Sequence, residues 1–562
     1  MTDRPAEAID VDVAIVGGGV SGLYTGYRLL TGDFDPPVAR PKSAAVLELS
    51  DRIGGRLESV VLPGMQVWGE LGGMRYMPSQ QVVTALIEDV FKNELKHVPF
   101  PMGKAATHRF YLRKQRFPAN SWTEAQKPGR QPFVTRYQLD AGDVGYSPDQ
   151  LFNKIVYDVL MADPKIRAQY GKKITNPAKY TYDFQLTSQD WDAIKPALSY
   201  CFPGPYENRL VNDLGFWNLI KDQVSEEGYQ FLADAGGYYS NTINWNAAEA
   251  FPYMVGDFSK AKPSYRTIAG GYDQVADALG KAFLADSRAS LHLQTRLVRF
   301  DRAPAPQGRR YQLTVRDERT GTESVAFADR LVLAMPRRSL ELLDQDNFLF
   351  QTGGEPSKLA ETIPAVIMEP SLKILMGFDK PWWRTDFGAT AGESITDLPI
   401  RQCYYFGTDA TDTRSLLLAG YTDMDPVRFW EPLDGEEPFE PPLESVASPT
   451  APRTMVEEAV RQLRELHGRS DIPEPFVAWY RDWSDDPFGG GYHAWQPGIS
   501  VQQVMQYMRR PDTNEAVHVC GEAYSDQQGW VEGALCVAEQ MLQEHFGLKW
   551  PGWLDPNYYL GW

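Results

Sequence analysis

The stretch VAIVGGGVSGLYTGYRLL, Val13 to Leu30, limits the possible folds of this chain more than any other. A β-branched run from Val11 to Val16 reads as a buried strand, and Val20 to Leu30 repeats apolar residues at helical spacing. Between them stand Gly17, Gly19 and Gly22. Strand, glycine turn and helix in that order let backbone N–H groups approach a pyrophosphate at the positive end of a helix dipole. A tight turn with no ligand is the competing reading, since glycine patterns of this kind recur by chance. The following strand should end in an acid that holds a ribose, and Glu48 comes directly after Val46 and Leu47. It arrives late because residues 32–45 form a proline-containing loop. A solvated strand end is the alternative for Glu48.

One core does not organise 562 residues, so two or three domains are expected. A net charge of −18 argues against nucleic acid as a partner, because phosphates are bound by clustered Lys and Arg. Cys201, Cys403, Cys520 and Cys536 lack the C-x-x-C spacing of a zinc or redox site, so no metal is expected. The acidic N-terminal residues lack a charged and apolar leader pattern, and no run approaches the roughly 18 apolar residues of a membrane helix. These features predict a cytoplasmic protein with no membrane partner. The acidic, proline-rich stretch from Glu431 to Pro452 predicts an exposed loop.

Toward the C-terminus, HVCGEAYSDQQGWVEGALCVAEQML reads as a short strand ending at Gly521-Glu522, then a helix from about Trp530 with its N-terminus toward a ligand. DRIGGR (Asp51 to Arg56), ELGGMRY (Glu70 to Tyr76), TIAGGYDQVADAL, the expected strand pair LHLQTRLVRFD (Leu291 to Asp301) and RLVLAMP lie between the two ends. With both ends, these segments resemble the flavin amine oxidase family in their order, in a form similar to bacterial L-amino acid oxidases of broad specificity. The resemblance covers nearly the whole chain.

It implies an α/β fold with α+β elements: a Rossmann-like FAD-binding domain (10–70, 265–345, 510–548), a mixed-sheet substrate domain (71–140, 346–509), a helical insertion (141–254) and an aromatic tail (549–562). FAD would be held by Gly17, Gly19, Gly22, Glu48, Arg56, Gly72, Gly73, Met74, Arg75, Leu297, Trp483, Gly521, Glu522, Gly529, Trp530 and Val531. Leu297 would hold the adenine through backbone groups, and Glu522 would accept from the ribityl chain. Monoamine oxidases carry a flavin-linked cysteine where this chain has Gly491, which implies non-covalent FAD.

Three residues carry the implied catalysis. Arg75 would clamp an α-carboxylate through its planar fork. Tyr421 would donate to the same carboxylate. Lys373, in the apolar PSLKILMGF, would aid reaction of reduced flavin with dioxygen by supplying positive charge. A surface salt-bridge arginine, a core tyrosine and a solvent-facing edge lysine are the corresponding structural readings. Trp530, Gly529, Tyr492 and Trp217 would complete the substrate pocket, and Asp234 and Asp423 are acidic candidates for a cationic side chain. The implied reaction turns an L-amino acid with a large neutral side chain, dioxygen and water into a 2-oxo acid, ammonia and hydrogen peroxide. A monooxygenase forming an amide, a monoamine or polyamine oxidase, and a non-enzymatic relative stand as alternatives. A homo-oligomer, a dimer or dimer of dimers, is also implied.

Overall fold

The computed structural model describes residues 9–237, 244–258, 264–304, 308–411, 413–435, 437–439, 449–484 and 489–562. Two seven-stranded sheets organise them. In the first, the spatial order is Ala289–His292, Ala44–Leu47, Asp10–Val16, Glu323–Leu333, Tyr311–Asp317, Thr295–Arg302, with Val517–Val519 also on Glu323–Leu333. Ala44–Leu47 is buried throughout and reads AAVL, the continuous apolar run of a strand covered on both faces. Glu323–Leu333 is long enough to serve two partners along one edge. Its first half pairs antiparallel with Tyr311–Asp317, and its last three residues pair parallel with Val517–Val519.

Five parallel strands, Ala289–His292 among them, therefore end on one side of the sheet. Gly17, Glu48, Ala334 and Gly521 follow those ends, and ligands of open α/β sheets bind at such a crevice. The helices Val20–Thr31 and Val531–Phe546 pack there through a buried ion pair, in which Arg28 donates to Glu539 at 2.8 and 2.9 Å and the Tyr24 hydroxyl donates to it at 2.6 Å. The expected strand pair over Leu291–Asp301 is instead two strands with different neighbours. Ala289–His292 lies parallel to Ala44–Leu47, and Thr295–Arg302 lies antiparallel to Tyr311–Asp317.

The second sheet runs Val477–Asp482, Ser371–Phe378, Ser415–Asp423, Gln402–Thr408, Glu393–Thr396, Arg109–Leu112, Gln115–Pro118. It is mixed, because Arg109–Leu112 joins Glu393–Thr396 in parallel. A third core gathers the helices Pro148–Ala162, Phe216–Gln223, Glu226–Ala235 and Ala247–Phe258. Pro148–Ala162 starts where its sequence says it should: Ser147 and Gln150 form a reciprocal capping box ahead of proline in the first turn. In the Glu431–Pro452 stretch, positions 436 and 440–448 lie outside the described residues. No described helix is long and apolar enough to cross a membrane.

Candidate active site

A cavity of about 640 Å³ runs along the strand ends of the first sheet to the second. At the first sheet its wall includes Gly17, Gly19, Glu48, Arg56 and Leu297. Gly17 has φ +111°, and a Cβ on it would stand 2.4 Å from the Ala334 carbonyl oxygen, so only glycine makes the turn. Gly22 is not part of the wall. A Cβ there would lie 2.0 Å from the Gly17 carbonyl oxygen, so its role is to let the helix close on the turn. Glu48 accepts from the Gly18 N–H at 2.6 Å and from Ser50, and is therefore a fixed part of the crevice rather than a solvated strand end.

Glu522 also lines the cavity, and its environment departs from the expectation. Arg56 and the His493 ring nitrogen Nδ1 donate to one oxygen at 2.8 and 2.9 Å; the His493 and Gly529 backbone N–H groups donate to the other at 3.1 and 2.7 Å. Four donors fill a carboxylate, so Glu522 ties Arg56 to the Gly529 turn and has no acceptor position left for a ribityl hydroxyl. Burial raises its pKa, but Arg56, His493 and the Gly529 N–H together outweigh this and hold the carboxyl well below the usual range. His493 itself is kept neutral by burial.

The helix Val531–Phe546 begins at Trp530 with no side-chain cap, and Val20–Thr31 begins at Gly19 likewise. Two helix N-termini with backbone donors to offer thus border one cavity, through Gly19, Val20, Trp530 and Val531. With the glycine turn and Glu48, they fit a flavin adenine dinucleotide. At Gly491 the φ is +86°, and a Cβ would lie 1.9 Å from the Glu369 carbonyl oxygen. A cysteine side chain has no room there to reach a flavin.

At the second sheet, register brings the catalytic candidates together. Lys373 is the direct cross-strand partner of Tyr421, and its Nζ lies 4.7 Å from the centre of the tyrosine ring. The ammonium is no edge-strand surface group: it is buried and donates to the backbone carbonyls of Glu70, at 3.3 Å, and Gly72. Burial lowers its pKa; Glu70 opposes the shift and Arg75 adds to it. Burial likewise raises Glu70, so this pair leans toward its neutral forms. Burial and then Asp423 keep the Tyr421 phenol protonated, and therefore a donor.

Arg75 follows the Gly72-Gly73-Met74 turn, and all four residues line the cavity. Its guanidinium carbon lies 4.0 Å from the Tyr265 ring centre and 5.3 Å from that of Phe100, and Nη1 is 3.3 Å from the Met102 sulfur. Aromatic packing on a buried guanidinium fixes its plane. Trp483, whose indole donates to the Leu71 carbonyl at 2.7 Å, joins Tyr492, Gly529 and Trp530 in the wall.

Trp217 is not in it. Its ring packs edge-on against Tyr229, centroids 5.8 Å apart, within the helical core. The helical layer reaches the cavity through Tyr253 instead, which carried no motif by which to find it. Ser371, Tyr272, Met335 and Pro336 also line the cavity without having been foreseen. Asp234 is bonded to the Tyr137 hydroxyl at 2.7 Å, away from the cavity. Asp423 accepts from the Tyr492 hydroxyl at 3.4 Å from behind the wall. Beside it the Glu369 carboxyl, fully buried, is driven to its neutral form by burial and then by Asp423.

The family profile for flavin containing amine oxidoreductases matches residues 20–538. Aplysianin-A from Aplysia kurodai is 27% identical over 563 residues, covering 95% of this chain and 90% of that protein. L-amino-acid oxidase 4 from Hebeloma cylindrosporum is 24% identical over 582 residues, covering 98% and 84%. A triple mutant of putrescine oxidase, redesigned in cofactor binding, superposes with a TM-score of 0.62 at 17% identity, covering 96% of this chain and 99% of that one.

Proposed function

This chain belongs to the flavin-containing amine oxidoreductases, and on that premise we propose that it oxidises L-amino acids with large neutral side chains to 2-oxo acids, ammonia and hydrogen peroxide. FAD, held at the strand ends of the first sheet, would supply the redox chemistry, accepting a hydride equivalent from the substrate and returning the electrons to dioxygen, and water would hydrolyse the imino acid to the 2-oxo acid and ammonia. The observation that carries the reading is Arg75, a buried, ring-stacked guanidinium in the same cavity wall as Tyr421 and Lys373.

Each residue has a physical task. Arg75 pairs both carboxylate oxygens through parallel N–H groups, and the protonated Tyr421 phenol adds a third donor. Fixing the carboxylate at one end fixes the direction of the Cα–H bond, which turns binding energy into orientation. Tyr492 and Trp530 border the amino group on either side and exclude water from it. Lys373, held by the carbonyls of Glu70 and Gly72, keeps a proton next to the reacting centre where dioxygen is reduced. Below about pH 7, where its amine is protonated, that charge acts without solvent to screen it.

Side-chain preference follows from the wall. The acids lining the cavity are Glu48, Asp51, Glu318 and Glu522, all from the dinucleotide-binding segments, whereas Arg75 shares its end with Tyr253, Tyr421, Tyr492 and Trp530. Aromatic rings without a carboxylate suit an apolar side chain. Measuring peroxide, 2-oxo acid and amide against all twenty amino acids tests the reading. Peroxide and 2-oxo acid in equal amounts, greatest for large neutral residues, is the expected result; amide as the main product makes the protein a monooxygenase instead.

A further inference from the structure

A second cavity, of about 360 Å³, lies at the other end of the strands that lead to the flavin site. Arg330 and Ala516 stand where the parallel strands Glu323–Leu333 and Val517–Val519 enter their pairing, and Ala334 and Gly521 stand where they leave it. From Ala516 to Gly521 is about 16 Å of extended chain. Arg310, Arg510, His518 and His545 complete the lining with Asp329.

Charge is unbalanced here, although the chain as a whole is acidic. Glu515 is taken by Arg302, Arg310 and the Tyr311 hydroxyl, and Glu544 by Arg509, while Asp329 bonds Arg309, which it shares with Asp10 and Asp12. That leaves Arg330 and Arg510 without a carboxylate partner among the described residues. Arg330 donates to the His545 carbonyl at 3.2 Å, and Arg510 to the carbonyls of Glu515 and Thr513 at 3.2 and 2.6 Å. These bonds orient the two guanidinium groups and use only part of their five N–H donors each. Two facing cations cost free energy unless an anion joins them.

The histidines add a second, independent observation. His545 Nε2 is buried with no hydrogen-bond partner, and Glu544 stands 3.6 Å from it. His518, 2% exposed, has Nδ1 3.0 Å from the Arg509 carbonyl oxygen. A carbonyl only accepts, so the proton is on Nδ1 and Nε2 is an acceptor. Burial, opposed by the Arg509 carbonyl and helped by His545, Arg330 and Arg510, lowers the His518 pKa to about 3, so the ring stays neutral.

We propose that this cavity binds a phosphate-class dianion between Arg330 and Arg510. Monohydrogen phosphate matches the site in three ways: two charges for two guanidiniums, several acceptor oxygens for their N–H groups, and one O–H donor for a neutral imidazole. The same chemistry is offered by inorganic phosphate and by the phosphate of a phosphomonoester, for which the cavity has room.

Calorimetric titration of the FAD-saturated protein tests this, with inorganic phosphate in one arm, glycerol phosphate in the other, and chloride holding ionic strength constant. One saturable site is expected, with the tighter arm identifying the source. Arg510→Gln should weaken binding at least tenfold while leaving amino acid turnover intact. Should that variant fail to fold, Arg310→Gln, whose side chain is 43% exposed, serves in its place with a smaller loss. No saturable binding in either arm overturns the proposal. So does binding that survives both substitutions, since the phosphate would then be at Arg75 or another cation.

Discussion

Replacing Arg75 by lysine keeps the charge and removes the geometry, so it isolates what the planar fork contributes. The guanidinium is buried, 4.0 Å from the Tyr265 ring centre and 5.3 Å from that of Phe100. A lysine ammonium reaches the same region as a point charge that makes one hydrogen bond to a carboxylate where arginine makes two. Losing one charge-assisted bond costs about 1.5–3 kcal/mol. Losing the stacking that fixes the plane costs a further ~0.5–1 kcal/mol. Together these amount to roughly 2–4 kcal/mol, a fall in kcat/KM of roughly 30- to 1,000-fold. The assay is initial-rate peroxide formation at saturating dioxygen, with FAD content read from absorbance in the same samples. FAD content should match the parent, because the first sheet and the two helix N-termini would hold the dinucleotide. The parent should also turn over decarboxylated amines poorly. A variant within threefold of the parent, or amines that equal their amino acids, would show that Arg75 does not clamp a carboxylate and that the chain acts on amines.

The other predictions concern the lysine, the buried glutamate and the attachment of FAD. Lys373→Met should slow flavin reoxidation far more than flavin reduction in stopped-flow traces; equal slowing of both would make it a substrate or structural residue. Because burial lowers the Lys373 pKa to about 7, its ammonium is present below that pH, so reoxidation in the parent should slow as pH rises through about 7, and a flat profile would refute this. Glu522→Gln should destabilise the holoprotein by on the order of 2–3 kcal/mol, discounted because Arg56 is partly exposed, read as a lower thermal midpoint with FAD released on dialysis. The sign for the parent follows from its lowered pKa: the stabilisation is complete above the ordinary carboxylate range, declines as pH falls through that range and is gone in strong acid. Acid precipitation should leave free FAD in the supernatant, and a yellow pellet would contradict the backbone geometry at Gly491.

What the sequence determined by itself is local. The strand, turn and helix from Asp10 to Thr31, the acid at Glu48, the ELGGMR turn and the helix from Val531 all follow from side-chain period, glycine sterics and strand ends, which act over a few residues. Tertiary structure alone decided which of these meet. Lys373 and Tyr421 face one cavity because two strands pair in that register, and a slip of one residue would turn one of them away. Glu522 is filled by Arg56, 466 positions away, and by His493, a contact that no spacing in the chain encodes. Trp217 and Tyr253 look alike as sequence, aromatic residues in amphipathic helices packed against one core, and only tertiary packing puts Tyr253 on the cavity and Trp217 away from it. Leu291–Asp301 reads as a strand pair in the sequence, and the neighbours available in the sheet draw its two strands apart. The unpaired Arg330 and Arg510 are invisible in a chain of net charge −18, because charge balance at a site is set by which acids the fold has already engaged.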